Sequence, residues 1–290
     1  NSGSRQDAPS RVDPAGNDRQ TPAGNTAHQA SPSRIAGTHA GDPELKKELL
    51  ERLEAIRRDN EKGKRDSEVQ TLITELSALA RVLAVTARVL DRNGVFADAI
   101  RDEHDRFEQS AKTRKDDAGR ILNGMSGVYG MYALLAKMRF AGNEERQLEI
   151  QDIHDRTVAA LRSESPVVET AAAIADACYE LTGMIIRDID SEGRYDKAFA
   201  QIERQYQQGA RVASKREDVF INGMFRTYEI SQLWLLSINP EATDVITELN
   251  AGVSEDSAGA TNVGMQMGIA AGYLFLISYL IAQATVNIML

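Results

Sequence analysis

The sequence predicts an all-α protein in which two tandem, internally duplicated helical-bundle repeats pack into one body, and three observations lead to that prediction. The chain is rich in Ala, Leu, Glu, Arg and Gln, which lose little rotamer freedom in a helix. Its apolar residues recur with a helical period along most of its 290 residues. The tripeptide Asn-Gly-Met occurs twice, and in each case Tyr follows four residues later.

The first segment, residues 1–42, is low in apolar residues and rich in Ser, Gly, Pro, Gln, Asp and Arg. Such a segment buries too little apolar surface to offset the entropy that is lost on ordering. We therefore expect a disordered N-terminal tail that acts as a tether.

Residues 43–64 are predicted to form a charged amphipathic helix. Asp42 and Pro43 are typical of an N-cap and a first helical position. The apolar residues that share one face are Leu45, Leu49, Leu53 and Ile56. Because this apolar stripe is narrow, we expect an outer helix that packs on a larger body.

The two repeats, residues 67–164 and 166–261, have equivalent positions 99 residues apart. Turn glycines and aromatic residues agree at this offset over about seventy residues without a gap. Each repeat is predicted to contain three helices and a fourth that matches less well. Glycine, asparagine and proline mark the ends of these helices, as at Asn93-Gly94 and Asn239-Pro240.

The Asn-Gly-Met elements are the candidate sites of close helix crossing. These residues and the tyrosines that follow are Asn123, Gly124, Met125, Tyr129, Asn222, Gly223, Met224 and Tyr228. Glycine within an apolar helix costs about 1 kcal/mol relative to alanine, so a close approach by another helix is the expected compensation. The asparagines would then be buried amides that require hydrogen bonds, for example to each other. A ligand pocket between the repeats is the alternative.

Residues 262–290 form an apolar segment without a charged side chain, long enough to span a bilayer. Its glycines are spaced as on a close-packing helix face, at Gly264, Gly268 and Gly272. However, the segment lacks flanking Lys or Arg residues, which normally set membrane topology. The segment is therefore either a central core helix, which we favour, or a membrane span.

No catalytic, cofactor-binding or metal-binding signature is present in the sequence. The single cysteine, Cys178, is expected to be an inert core thiol. Residues 101 and 151, three positions before His104 and His154, are Arg and Gln, so the Glu-x-x-His pattern of di-iron bundles is absent. A net charge of −9 argues against nucleic acid as the main partner.

We therefore expect a non-enzymatic interaction or scaffold protein of a bacterial cell envelope, with a protein partner, a membrane partner or both. A lipoprotein tethered by its N-terminal tail is one form of this hypothesis. A secreted effector or toxin-like protein, whose apolar C-terminal helix inserts into a membrane, is an alternative. An enzyme of unrecognised type that uses His104, His154 or polar groups between the repeats is a third. The oligomeric state cannot be predicted from these patterns.

Overall fold

The computed structural model describes residues 43–63, 67–163 and 165–290. Across these ranges the fold is all-α, as predicted, with ten α-helices, one short 3-10 turn (Pro240–Ala242) and no strand. The helices are α1 (Pro43–Gly63), α2 (Glu68–Leu90), α3 (Ala97–Thr113), α4 (Asp117–Arg139), α5 (Glu144–Arg162), α6 (Val167–Ile189), α7 (Asp196–Val212), α8 (Arg216–Ile238), α9 (Thr243–Gly259) and α10 (Val263–Met289). The predicted N-terminal tether lies outside the described residues.

Long and short helices alternate along the chain. The even-numbered helices α2, α4, α6 and α8 have 23 residues each, and α10 has 27. The odd-numbered helices have 17 to 21 residues. Each long helix packs against the next one in the series, and α10 packs against α2. The five long helices therefore form a closed inner ring, and both predicted repeats contribute to it.

The inner helices run parallel to one another. At their N-terminal ends, Asn262 donates a hydrogen bond of 2.9 Å to Glu68, which joins α10 to α2. At their C-terminal ends, Arg139 of α4 pairs with Asp188 of α6. Each short outer helix returns the chain to the starting end of the ring, because the connections are too short for anything except an antiparallel neighbour.

The outer helices are polar because only one face of each is covered. The first of them, α1, lies on α2 and α10 and buries Leu49 and Leu53. Its Lys46 donates a 3.3 Å hydrogen bond to the carbonyl oxygen of Asn287. This arrangement agrees with the predicted outer helix.

The centre of the ring is a dry core that contains hydroxyl groups. The sixteenth residue of each inner helix faces this centre: Leu83, Tyr132, Thr182, Ser231 and Ser278. Burial raises the pKa of Tyr132, and the neighbouring hydroxyls of Ser278, Ser231 and Thr182 oppose that rise. The space between these side chains is too small for a water molecule.

Helix α10 has the length and apolar composition of a membrane-spanning helix. In this fold it is the fifth member of the ring and contacts α1, α2, α8 and α9. A helix that is covered on most sides needs apolar residues on most sides. Its position in the ring therefore gives a packing reason for its composition.

The predicted duplication has regular counterparts in the helix boundaries. Each of α2, α3, α4 and α5 begins 99 residues before α6, α7, α8 and α9, respectively. The turn glycines Gly94 and Gly193 also match, with φ of 66° and 67°. The common origin of the two halves stays a prediction, since a regular ring of helices itself demands similar lengths.

Candidate functional site

The candidate site is a groove that runs along the outward face of α4, between the outer helices α3 and α5. We call it the α4 groove. Its volume is about 520 Å³, and its lining extends along α4 from Gly119 to Lys137. That stretch of helix is about 27 Å long. The groove contains Asn123 and Tyr129, two of the residues that the sequence singled out.

The three Asn-Gly-Met residues of the first repeat lie in three different environments. A Cβ atom at Gly124 would lie 2.8 Å from Cβ of Leu76, so glycine permits the close approach of α2. Met125 is fully buried in the core. Asn123 faces outward and donates a 3.2 Å hydrogen bond to the carbonyl oxygen of Phe107 in α3.

The second repeat places its Asn-Gly-Met residues in the same way. A Cβ atom at Gly223 would lie 3.0 Å from Cβ of Ala175 in α6, and Met224 is fully buried. Asn222 donates a 3.0 Å hydrogen bond to the carbonyl oxygen of Tyr206 in α7. The expectation that the two asparagines bond each other is therefore wrong. Both lie on the outward side of the ring, where the nearest acceptor belongs to an outer helix.

Tyr129 and His154 form a hydrogen-bonded pair in the α4 groove. The Tyr129 hydroxyl lies 3.1 Å from Nδ1 of His154. Burial raises the pKa of Tyr129 to about 12, whereas burial and the nearby Lys137 lower the pKa of His154. At neutral pH both side chains are therefore uncharged, and the hydrogen bond that joins them is one between neutral groups.

Charged residues line the rims of the groove. Glu103 and Arg106 of α3 form an ion pair above α4. Arg114 and Lys137 lie near the opposite ends of the groove. The walls between these charges include the apolar residues Leu122, Leu134, Val158 and Leu161. The groove therefore combines apolar walls with a positive charge near each end.

Two glycines of α4 allow α3 to pack closely. A Cβ atom at Gly127 would lie 2.7 Å from the ring of Phe107, and one at Gly130 would collide with the Glu103 carboxylate. These glycines are accounted for by the position of α3. The space that remains open runs along α4 between α3 and α5, and both of these outer helices contribute to its lining.

The second repeat joins α8 to α9 with side-chain hydrogen bonds at the equivalent position. Gln232 of α8 donates a 2.7 Å hydrogen bond to Oδ1 of Asn250 in α9. Tyr228 donates to the same oxygen at 2.9 Å. In the first repeat the residues at these positions, 99 earlier, are Ala133, Gln151 and Tyr129. Alanine cannot form this bridge. The first repeat joins α4 to α5 through Tyr129 and His154 instead, and Gln147 of α5 donates a 3.1 Å hydrogen bond to the carbonyl oxygen of Lys137 in α4.

The three glycines of α10 line a different groove, beside α2. A Cβ atom at Gly264 would meet the carboxylate of Glu68 at 2.8 Å, and one at Gly272 would meet that of Glu75 at 3.3 Å. At Gly268 the nearest side-chain atom, in Thr71, would be 4.0 Å away. These glycines therefore face α2 side chains rather than the backbone of another helix.

The remaining reactive side chains lie apart from the α4 groove. Cys178 is fully buried, and burial raises the pKa of its thiol, so it has the properties of a core residue. His104 contacts Arg52 of α1 at 3.3 Å. Among the residues that the structure describes, no group of three His, Cys, Asp or Glu side chains is arranged to hold a metal ion.

The fold and the groove define the class of the molecule as a closed ring of five parallel helices with an outer layer of shorter helices. Comparison with known proteins adds no closer assignment. No protein-family model matches the chain, and no curated protein or solved structure matches it.

Proposed function

We propose that this chain is a non-enzymatic interaction protein and that the α4 groove binds one amphipathic helix of a protein partner. The observation that supports this most strongly is the groove along α4 itself, whose lining combines apolar side chains with Arg114 and Lys137. At the equivalent position of the second half, Gln232 and Asn250 form a bridge between α8 and α9 that the first repeat lacks.

The dimensions of the groove favour a helix as the occupant. A length of about 27 Å corresponds to about 18 helical residues. Small side chains on a floor, such as Ser126 and Ala133, allow a helix axis to approach closely. Apolar anchors at helical spacing are the usual content of such grooves.

The charges at the two ends of the groove indicate which charges the partner helix carries. Lys137 and Arg114 lie near opposite ends of the lining, and neither forms an ion pair within the described residues. A helix with an apolar face and acidic residues near its ends would complement them. Such rim charges contribute more to specificity and association rate than to affinity.

A site-specific photocrosslinking experiment tests this proposal. A photoreactive amino acid at Val158, a partly exposed residue of the groove lining, should give a discrete adduct in producing cells, and its cross-linked peptide should map to an amphipathic helix of one protein. The matched control carries the same amino acid at Ser257, the equivalent residue of α9. Equal adducts at both positions, or adducts that contain lipid rather than peptide, would overturn the proposal.

A double substitution separates binding from folding. Ala133→Gln with Gln151→Asn transfers the bridge of the second repeat into the first. We expect this variant to keep the helical content of the wild type and to lose the adduct at a groove position that is left unchanged, Val158. The reverse change, Gln232→Ala with Asn250→Ala, should leave that adduct intact.

Location in a bacterial cell envelope is part of the proposal and depends on the composition of residues 1–42 alone. A polar segment of this kind suits a tether between an anchor and a folded body. Fractionation of cells that express the complete gene tests it. Recovery of the protein only with cytosolic markers would rule out the envelope location and would leave the groove proposal standing.

Membrane insertion by α10 is the second candidate function, because this helix is long and apolar enough to cross a bilayer. Insertion would require α10 to leave the ring, where it contacts α2 and α8. Leakage from liposomes that depends on residues 263–290 would favour this candidate. Absence of leakage at all protein concentrations would count against it.

A further inference from the structure

We propose that a second site, between α1 and α3 on the outward face of α2, binds a small neutral polyol of the monosaccharide class. We call it the Asn60 pocket. Its volume is about 230 Å³, below the roughly 300–1,000 Å³ that is common for drug-sized ligands. A single small molecule of low mass is therefore the appropriate occupant.

A buried amide oxygen in this pocket has no hydrogen-bond partner. Asn60 is only 2% exposed, and its Nδ2 donates a 2.9 Å hydrogen bond to the carboxylate of Glu75. Its Oδ1 accepts none. An unsatisfied buried acceptor is destabilising, so a donor from outside the chain would be favourable here.

The orientation of this amide follows from its partner. Glu75 lies on the far side of Asn60, beside Gly272 of α10. A reversed amide would place Oδ1 against the carboxylate, which is repulsive. With Nδ2 directed at Glu75, Oδ1 is directed away from it, toward the pocket that Asn60 lines.

The other polar groups of the pocket include both donors and acceptors. Arg81 uses two of its nitrogens for Glu108, at 2.7 and 3.2 Å, and Arg120 donates to Gln70 at 3.0 Å. Each guanidinium carries five N–H groups, so donors remain. The Ser77 hydroxyl also lines the pocket.

A hydroxyl group is the ligand chemistry that satisfies this set. It can donate to Oδ1 of Asn60 and accept from Arg81 or Arg120 at the same time. A cation would be repelled by the two arginines. An anion is disfavoured because Glu108 already neutralises Arg81 and Asp59 lines the same pocket. Apolar C–H faces of a sugar ring would pack on Ile56, Ile73 and Ala78.

Calorimetric titration of the full chain with glucose and with myo-inositol tests the proposal. We expect saturable binding of at least one of the two probes. Ala111→Leu fills the pocket from α3 and should weaken that binding at least tenfold. Ala210→Leu is the matched control, because Ala210 is the equivalent residue of α7, exposed and outside the pocket.

Two results would overturn the proposal. One is the absence of saturation by either probe up to about 10 mM, a concentration that reveals even weak ligands; ordered water would then be the partner of Asn60. The other is equal binding by the wild type and by Ala111→Leu, because the ligand would then lie elsewhere. If Ala111→Leu does not fold, Ser77→Val obstructs the same pocket from α2 and the same outcomes apply.

Discussion

Single side chains in this ring show how burial changes the chemistry of a group. Asp176 of α6 accepts a 2.9 Å hydrogen bond from the Tyr206 hydroxyl. Burial nevertheless raises the pKa of Asp176 to about 6, from an ordinary value of 3.8. The folded protein therefore holds a proton on this carboxyl more tightly than the unfolded chain does. Because the folded state binds more protons, stability falls as pH rises from about 4 to about 6.

We predict that Asp176→Asn stabilises the protein at pH 7 by about 1–3 kcal/mol, since an amide carries no charge to desolvate and still accepts from Tyr206. Urea unfolding at pH 4 and pH 7 measures this effect. The gain should vanish at pH 4, where the aspartic acid is already protonated. Asp244→Asn, on the exposed face of α9, is the control and should change stability little at either pH. An equal effect of Asp176→Asn at both pH values would contradict the prediction.

The hydroxyl groups at the centre of the ring lead to a second prediction about single side chains. Ser278 Oγ is buried without a hydrogen bond of ordinary geometry, although the Tyr132 hydroxyl is nearby. Ser231 by contrast donates a 2.7 Å bond to the carbonyl oxygen of Thr227. We expect Ser278→Ala to be neutral or stabilising by up to about 1 kcal/mol, and Ser231→Ala to cost about 1 kcal/mol. Denaturant midpoints compare the two variants, and a loss in Ser278→Ala larger than that in Ser231→Ala would show that Ser278 has a partner.

Between neighbouring inner helices, glycine sets the distance. Gly124 lies where a Cβ atom would be 2.8 Å from Cβ of Leu76, and a helix backbone cannot retreat from a rigid Cβ at low cost. We predict that Gly124→Ala destabilises the protein by about 1–3 kcal/mol. Thermal unfolding measures the change.

The control for that substitution is Gly259→Ala at the end of α9. No atom lies within 4 Å of the position that its Cβ would occupy. Alanine is the better helix former, so this variant should be more stable by about 0.5–1 kcal/mol. If both alanines had the same effect, close packing of α4 on α2 would not be the reason for Gly124.

The elements themselves could largely be predicted from the sequence, because their boundaries are local. Asn143 and Asn262 cap α5 and α10 with their side chains, and Gly94 and Gly193 adopt positive φ after α2 and α6. The closed ring could not be predicted in this way. Closure depends on α2 meeting α10, nearly 200 residues away in the chain, and no local pattern records which helices are neighbours.

The candidate site was only partly predictable, for the same reason. Asn123 and Tyr129 drew attention because they recur at one offset. Ala133 and Gln151 did not, because the bridge that they lack is recognisable only beside its counterpart, Gln232 and Asn250. When the repeats are aligned, the polar pair of the second repeat is replaced by Ala and Gln in the first. This difference can be interpreted only when the contact between the outer and inner helices is known.

For the whole molecule, the central feature is the ring closed by α10. The helix would otherwise expose the apolar side chains that now contact α2 and α8. Closure therefore accounts for the presence of an uncharged helix in a chain that is 27% charged overall. It also holds the α4 groove on a rigid support, which is a requirement for a preorganised binding surface.

An engineered disulfide between the first and last inner helices tests this closure most directly. The pair Thr71→Cys and Gly268→Cys is suitable, because a Cβ atom at position 268 would lie 4.0 Å from a methyl carbon of Thr71. We predict that an intramolecular disulfide forms under mild oxidation and raises the melting temperature, since it closes a loop of almost the entire ring. A pair with Thr71→Cys and Gly259→Cys is the control and should remain reduced within the monomer. If the Thr71–Gly268 pair also stays reduced, or links only separate chains, α10 does not close the ring.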